Sequence, residues 1–133
     1  MPVVIIICYL VHLFSIGIAT KIIWAITERI SPTKDGIIPR NIKSKAADYY
    51  HIRSFILKYG KNVFTKGIFP WLSNWFYNFA GTSIIGKGTT IEESLVNDKY
   101  INVGKNCYIG IASSLASHVV DGIFGNISYF EVK

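Results

Sequence analysis

The sequence predicts a mainly β fold, a left-handed parallel β-helix of hexapeptide repeats, preceded by an N-terminal transmembrane helix and amphipathic helices. Three observations predict it: an uncharged apolar run at the N-terminus, aromatic residues at helical spacing before Gly81, and aliphatic residues at every sixth position from Ile85. The corresponding segments are 1–30, 31–80 and 81–133. With 133 residues the chain has about the length of one domain.

The first segment contains seventeen residues without a formal charge, Val3 to Ala19, and a further apolar stretch, IIWAI, after Lys21. A bilayer core requires roughly 20 apolar residues in a helix. Lys21 and Trp24 suit the membrane interface. A cleaved secretory signal would have a basic start and a shorter apolar stretch, and a buried core helix is the other alternative. We expect a transmembrane helix, with His12 neutral and packed in mid-span.

Positive charge is concentrated directly after the apolar run. The net charge is +6, and ten of the fourteen Lys and Arg lie between Lys21 and Lys66. Such segments are attracted to anionic lipid headgroups and stay on the cytoplasmic side. The expectation is therefore a single-pass membrane protein whose partners include membrane lipids and whose C-terminal part is cytoplasmic. Nucleic acid is the competing partner for a basic segment, but no nucleic-acid-binding motif accompanies the charge, and we expect no nucleic-acid partner.

The second segment predicts a connector and two helices. The connector is SPTKDGIIPR, which contains two prolines and a glycine. Apolar and aromatic residues at helical spacing predict a helix from about Ala46 to Tyr59, with Gly60 as its stop. A second helix opens at Pro70 and ends at Gly81. Its aromatic face fits either the membrane interface or packing against the repeat.

The third segment has a period of six. Positions six apart from Ile85 are aliphatic in five of six cases: Ile85, Ile91, Asn97, Val103, Ile109 and Leu115. In a triangular coil each group of six residues forms one strand and one bend, and the aliphatic residue points inward. Such coils bury a core by stacking on their neighbours. Asn97 breaks the pattern and predicts a bulge. An ordinary antiparallel β-domain is the alternative.

Two stretches of this segment, VGKNCYIGIASSLASHVVDG and IFGNISYFEVK, carry a family resemblance. The region from about Gly81 to Lys133 resembles the hexapeptide-repeat acyltransferases, including sugar O-acetyltransferases of the maltose and galactoside type. The upstream half resembles the membrane-linked version attached to nonribosomal peptide synthetase-like proteins. The resemblance implies transfer of an acyl group to a hydroxyl or amine. The donor would be a coenzyme A or phosphopantetheine thioester, a co-substrate rather than a permanently bound cofactor.

The resemblance also implies a site. His118 and Asp121 fall where such enzymes carry H-x-x-D, and His118 is expected in a loop after Leu115 as general base, with Asp121 orienting its ring. The backbone N–H groups at Gly110 would steady an oxyanion. Gly110, Ser113 and Ser114 are the expected substrate- and donor-binding residues. The alternative is a loop histidine without a task.

The resemblance implies a trimer with sites between subunits, and only about two and a half coils precede Lys133. We therefore expect a homo-trimer or another chain that continues the β-helix. A non-catalytic membrane-anchored scaffold or assembly subunit is the alternative function. A zinc enzyme of the γ-carbonic anhydrase type needs three converging histidines. Of the three histidines, His12, His51 and His118, only the last lies in the repeat, and no metal is expected.

Overall fold

The computed structural model describes residues 1–39, 43–97, 99–121 and 129–132, with the backbone alone at 39, 95, 97, 118–121 and 129–132. Its helices are α1 (Pro2–Ile30), α2 (Lys45–Thr65) and α3 (Leu72–Ala80). Its strands are β1 (Gly36–Pro39), β2 (Ile84–Ile85), β3 (Thr90–Ile91), β4 (Leu95–Asn97), β5 (Asn102–Val103), β6 (Tyr108–Ile109), β7 (Ser114–Ala116), β8 (His118–Asp121) and β9 (Tyr129–Val132).

The apolar N-terminal helix is confirmed. Pro2 occupies the first helical position, where its missing N–H costs nothing, and α1 continues without interruption to Ile30. Its 29 residues and apolar composition are sufficient to cross a membrane. One face of α1 packs against α2 and α3 and is buried, at positions three or four residues apart: Leu13, Ile16, Gly17, Thr20, Trp24 and Thr27.

Helix α2 passes through Gly60 and ends five residues later, so the prediction that Gly60 stops the helix is wrong. Ser44 caps the N-terminus of α2 by accepting a hydrogen bond from the Ala47 backbone N–H. A Cβ atom at Gly60 would lie 2.4 Å from Cζ of Phe76. The glycine therefore allows close packing between α2 and the ring of Phe76.

Helix α3 begins and ends near the predicted positions, after Pro70 and before Gly81. Gly81 adopts a left-handed conformation with φ of 77°, which favours glycine as a helix terminator. The aromatic face of α3 packs on protein: Phe76 stacks on Phe64 at a ring-centroid distance of 4.7 Å. Of the two predicted roles for this face, packing within the protein is the one observed.

The prediction of a mainly β left-handed β-helix is wrong. Three helices form most of the regular structure, and the described part of the chain contains no solenoid. The repeat region forms three isolated parallel pairs, β2 with β5, β3 with β6 and β4 with β7. Each strand has only two or three residues. Among the residues described after β7 there is no third parallel layer, and β8 and β9 join β1 in a three-stranded antiparallel sheet, in the order β1–β9–β8.

The six-residue period does appear in the strand pairing, because paired residues are three periods apart in the sequence. Ile85 lies opposite Val103, and Ile91 lies opposite Ile109, each 18 residues apart in sequence. In the third pair the residue opposite Leu115 is Val96, not Asn97. Val96 is fully buried. The chain therefore shifts by one residue at the predicted irregularity and places an apolar side chain inside.

One core joins the helices to the parallel strands. Leu13 of α1, Leu57 of α2 and Phe76 of α3 belong to the same buried cluster as Ile85 and Ile109. Burial of such side chains is the main favourable contribution to folding. The repeat region is thus a cap on a helical core. The candidate site lies between the C-terminal end of α2 and the residues directly before β4 and at the start of β7.

Candidate functional site

A cavity of about 280 Å³ lies between the C-terminal end of α2 and the segments flanking β4 and β7. We call it the basic cavity. Its lining residues are Lys61, Asn62, Thr65, Lys66, Glu93, Ser94, Ala112, Ser113 and Ser114. Two lysines and three serines therefore surround a space with one carboxylate, which suits a polar, anionic ligand.

A second cavity of about 630 Å³ adjoins it, and we call it the apolar cavity. Both cavities are lined by Thr65 and Glu93, so they lie side by side, and we call the two together the cleft. The apolar cavity owes its character mainly to Pro70, Trp71, Ile91 and Ile111, and Thr89, Thr90 and Glu92 complete its wall. The cleft thus has a basic end and an apolar end.

Lys61 is the most unusual residue of this cleft, because it is only 7% exposed. Within the described residues its ammonium group has neither an ion pair nor a side-chain hydrogen bond. Burial lowers the pKa of Lys61, and the neighbouring charges of Lys58 and Lys66 lower it further. The ammonium nitrogen itself keeps some accessible surface, so the cavity carries a positive group that has no counter-ion among the described residues.

Ser94 is the second unusual residue. It is 3% exposed, and its Oγ atom has no hydrogen-bond partner in the described part of the chain. Buried hydroxyl groups are almost always hydrogen-bonded to protein, water or a ligand. Ser113 differs, because its Oγ donates to the Gly110 carbonyl oxygen. Ser94 therefore has an unsatisfied hydroxyl buried in the wall of the cavity that Lys61 also lines.

The predicted donor-contacting residues are brought together in part. Ser113 and Ser114 both line the basic cavity. Gly110 follows β6, and its carbonyl oxygen accepts hydrogen bonds from the backbone N–H and the side chain of Ser113. Gly110 thus closes the turn that carries Ser113 and does not line either cavity.

His118 and Asp121 lie elsewhere. They are the first and last residues of β8, paired with Val132 and Tyr129 of β9, so His118 is a strand residue and not the expected loop residue. Three residues of a strand span about 10 Å. The backbone therefore places the two residues at opposite ends of one strand. For these two residues the structure describes the backbone alone.

A separate polar cluster joins α1 to the rest of the fold. The Glu28 carboxylate forms ion pairs with Arg53 and Lys99 and accepts a hydrogen bond from the Thr33 hydroxyl at 2.7 Å. Arg53 also donates to the Ser31 carbonyl oxygen at 2.7 Å. All of these groups have protein partners, so we interpret this cluster as structural.

Sequence reasoning missed Lys61, Lys66 and Ser94 as site residues. Lys61 and Lys58 are both lysines at the end of one predicted helix, and their spacing does not distinguish the buried one. Only the packing of α2 against the segment before β4 encloses Lys61. Comparison of the chain with protein-family models, curated proteins and solved structures finds no match.

Proposed function

We propose that this chain is a membrane-anchored acyltransferase-like protein. It moves an acyl group from a coenzyme A or phosphopantetheine thioester to a hydroxyl or amine. The observation that supports the proposal is the cleft: Ser113 and Ser114, two residues expected to contact the donor, line a basic cavity that lies beside a larger apolar one. A donor with an anionic group and a long, less polar arm fits such a cleft.

His118 keeps the role of general base in this proposal. His118 is four positions after Ser114 in the chain, so the two Cα atoms lie within about 14 Å of each other. A donor held in the cleft has to extend toward β8 over that distance. Asp121, at the far end of β8, is assigned no orienting role, because the strand separates it from His118.

The test is thiol release by the full chain in detergent, with acyl-coenzyme A or acyl-phosphopantetheine as donor and a mixture of hydroxyl and amine acceptors. His118→Ala should reduce the rate by about 10²–10⁴-fold, the usual contribution of a positioned base. His51→Ala is the matched control, since His51 lies on α2 away from the cleft. Equal rates for His118→Ala and the unmodified chain would exclude the base role.

A non-catalytic membrane-anchored scaffold is the second candidate. The observation that favours it is the placement of His118 and Asp121 at opposite ends of β8, where they do not form a base and its orienting partner. For a scaffold we expect no thiol release with any donor, while the chain still associates with itself or with a continuing chain. Light scattering in detergent measures that association.

The membrane part of the proposal depends on α1. Its outer side carries exposed aliphatic or aromatic residues at four-residue intervals: Phe14, Ile18, Ile22, Ile26 and Ile30. Exposed His12, Ser15, Lys21 and Arg29 interrupt this apolar surface. In the proposal α1 crosses the bilayer, and the basic segment after Ile30 is cytoplasmic. Labelling of a cysteine introduced at Lys34 by an impermeant reagent outside intact cells would contradict this orientation.

The fold restricts how α1 meets lipid. Only Met1–Cys8 is exposed on every side, and its seven helical residues, Pro2–Cys8, span about 10 Å, less than the roughly 30 Å of a bilayer core. From Tyr9 onward other parts of the fold cover one face of α1, and the Tyr9 hydroxyl lies beside the turn at Ile68. A crossing therefore brings that turn, with exposed Ile68 and Trp71, to the lipid.

A further inference from the structure

We infer that the basic cavity binds the phosphate group of an amphiphilic molecule, with Lys61 as the principal ligand and the apolar cavity holding the adjoining chain. The inference deepens the proposed function and rests on it only for the identity of the molecule that carries the phosphate. The binding itself requires no acyl transfer. Four features of the cleft carry the argument.

The first feature is the unpaired charge of Lys61. Buried cations in proteins are ordinarily paired with an anion or hydrogen-bonded. No described carboxylate lies within ion-pair distance of Lys61, although Glu93 lines the same cavity. An anionic ligand provides the missing partner. It also relieves the repulsion among Lys58, Lys61 and Lys66, which acts on this ammonium group.

The second feature is the set of neutral donors. Ser94 has a hydroxyl buried in the cavity wall that finds no partner among the described residues, and Ser113 and Ser114 line the same cavity. Phosphate oxygens accept several hydrogen bonds at once, and bonds from a charged donor are the strongest of them. One ammonium group and nearby hydroxyls therefore match a phosphate better than a single carboxylate, which has fewer oxygens.

The third feature is the charge balance of the lining. Lys61 and Lys66 contribute two positive charges and Glu93 one negative charge, which leaves the lining with a net positive charge. Lys58 adds to this field from outside the lining. A neutral or cationic ligand gains nothing from such a field. A phosphate carries up to two negative charges and is attracted to it.

The fourth feature is the position of the apolar cavity directly beside the basic one. The indole of Trp71 and the side chains of Ile91 and Ile111 line the space directly beyond Thr65 and Glu93. Apolar groups in a cleft gain free energy by leaving water. The ligand is therefore a phosphate joined to a chain. Two sources provide this chemistry: the phosphopantetheine of an acyl donor and a short-chain or bilayer phospholipid.

The experiment uses the full chain in dodecyl maltoside micelles, in phosphate-free buffer, and measures binding by isothermal titration calorimetry. The probes are phosphopantetheine and dioctanoyl phosphatidic acid, and no acyl acceptor is present.

Lys61→Met should weaken binding of the preferred probe about 10-fold or more, since it removes the charged donor. Lys58→Met is the matched control, because Lys58 lies on the same helix but lines neither cavity of the cleft. Lys58→Met should weaken binding by no more than about 2-fold, because the charge of Lys58 acts from outside the cavity and is screened by salt.

Ser94→Ala provides the second test, which does not depend on the folding of Lys61→Met. The Ser94 hydroxyl has no partner in the described part of the chain, so its removal should leave the thermal midpoint unchanged or higher. Binding should weaken by about 3–10-fold, the worth of one hydrogen bond. A purely structural serine would show the opposite pattern, with a lower midpoint and unchanged binding.

The two probes identify the source. Lys61-dependent binding of phosphopantetheine alone assigns the site to the acyl donor, and Lys61-dependent binding of phosphatidic acid alone assigns it to lipid. If both bind, the tighter one is the preferred source. If a probe binds but the chain releases no thiol in the acyl-transfer assay, the binding site is supported and the proposed acyltransferase activity is contradicted. No binding of either probe, or equal affinity of the unmodified chain and Lys61→Met, overturns the inference.

Discussion

The Asn78 side-chain amide forms two hydrogen bonds with the backbone of Ile85. Its Nδ2 donates to the Ile85 carbonyl oxygen at 3.0 Å, and its Oδ1 accepts from the Ile85 N–H at 3.0 Å. The carboxamide therefore takes the place of a neighbouring strand along β2, whose own partner β5 contributes only two residues. It also attaches the last turn of α3 to the first layer of the repeat region.

Replacement of this amide should loosen that attachment. Asn78→Ala removes both bonds and leaves backbone groups of Ile85 without partners. We expect a loss of about 1–2 kcal/mol in the free energy of unfolding, the cost of such bonds at a partly exposed position. Urea denaturation in detergent measures it. Asn62→Ala, at an exposed asparagine of α2, is the control, and an equal effect of both substitutions would contradict the role of Asn78.

Gly60 should not tolerate a methyl group, even though alanine is the better helix former. A Cβ at this position would lie 2.4 Å from the Phe76 ring. Overpacking of this kind costs about 1–3 kcal/mol, more than the roughly 0.5–1 kcal/mol that alanine gains over glycine in a helix. Gly60→Ala should therefore lower the thermal midpoint.

A double substitution checks the cause of that loss. Phe76→Leu makes room at the contact, so Gly60→Ala should cost less in a Phe76→Leu background than in the unmodified chain. Equal costs in both backgrounds would show that the ring of Phe76 is not the obstacle. The measurement is the same thermal denaturation, with the four chains compared in one detergent.

The stability of the protein should depend on pH through Lys61. Burial, with help from Lys58 and Lys66, lowers the pKa of Lys61 below its ordinary value of 10.5. At pH values between the lowered pKa of Lys61 in the folded chain and its ordinary value in the unfolded chain, the unfolded chain binds more protons than the folded one. The free energy of unfolding therefore rises with pH in this window. At lower pH the charged lysine destabilises the fold. Lys61→Met should raise stability at neutral pH and flatten this rise.

The measurement for Lys61 is urea denaturation over a series of pH values that rises from neutral pH toward the ordinary lysine pKa of 10.5. Lys58→Met is the control, because Lys58 is exposed. A pH dependence that persists unchanged in Lys61→Met would assign the effect to another group.

Trp71 and Trp24 should differ in their contact with lipid. Trp71 is 67% exposed beside the turn at Ile68, whereas Trp24 is 6% exposed between α1 and its neighbours. In bilayers of brominated phospholipid, a variant with Trp71 as its sole tryptophan should be quenched strongly. A variant with only Trp24 should be quenched weakly, because protein covers its ring. Equal quenching would contradict the proposed approach of the turn to the membrane.

Much of the helical part could be predicted from local sequence. The uncharged run of α1, the proline before α3 and Gly81 after it determine these helices through interactions within a few residues. The helix α2 was also predicted, but its end was not. Glycine is a residue at which helices typically stop. Gly60 is nevertheless tolerated inside α2, because Phe76, sixteen residues later in the chain, packs against it.

The repeat region shows how far a period can be interpreted. The sequence by itself determined which aliphatic residues face inward, and Ile91 opposite Ile109 is an example. It did not determine the number of layers. That depends on what the chain pairs with after Ala116, and β8 joins β9 and β1 in an antiparallel sheet. The segment Gly36–Pro39, interpreted as a connector, becomes β1 for the same reason.

The candidate site shows the same division. The sequence identified Ser113 and Ser114 as possible contacts, and it placed lysines at the end of α2. Only the tertiary structure decided that Lys61 is buried beside them and that Lys58 is not. The physical reason is that burial and charge pairing are properties of the space between segments. Lys61 and Ser94 are thirty-three residues apart, and no periodicity along the chain records that they face one cavity.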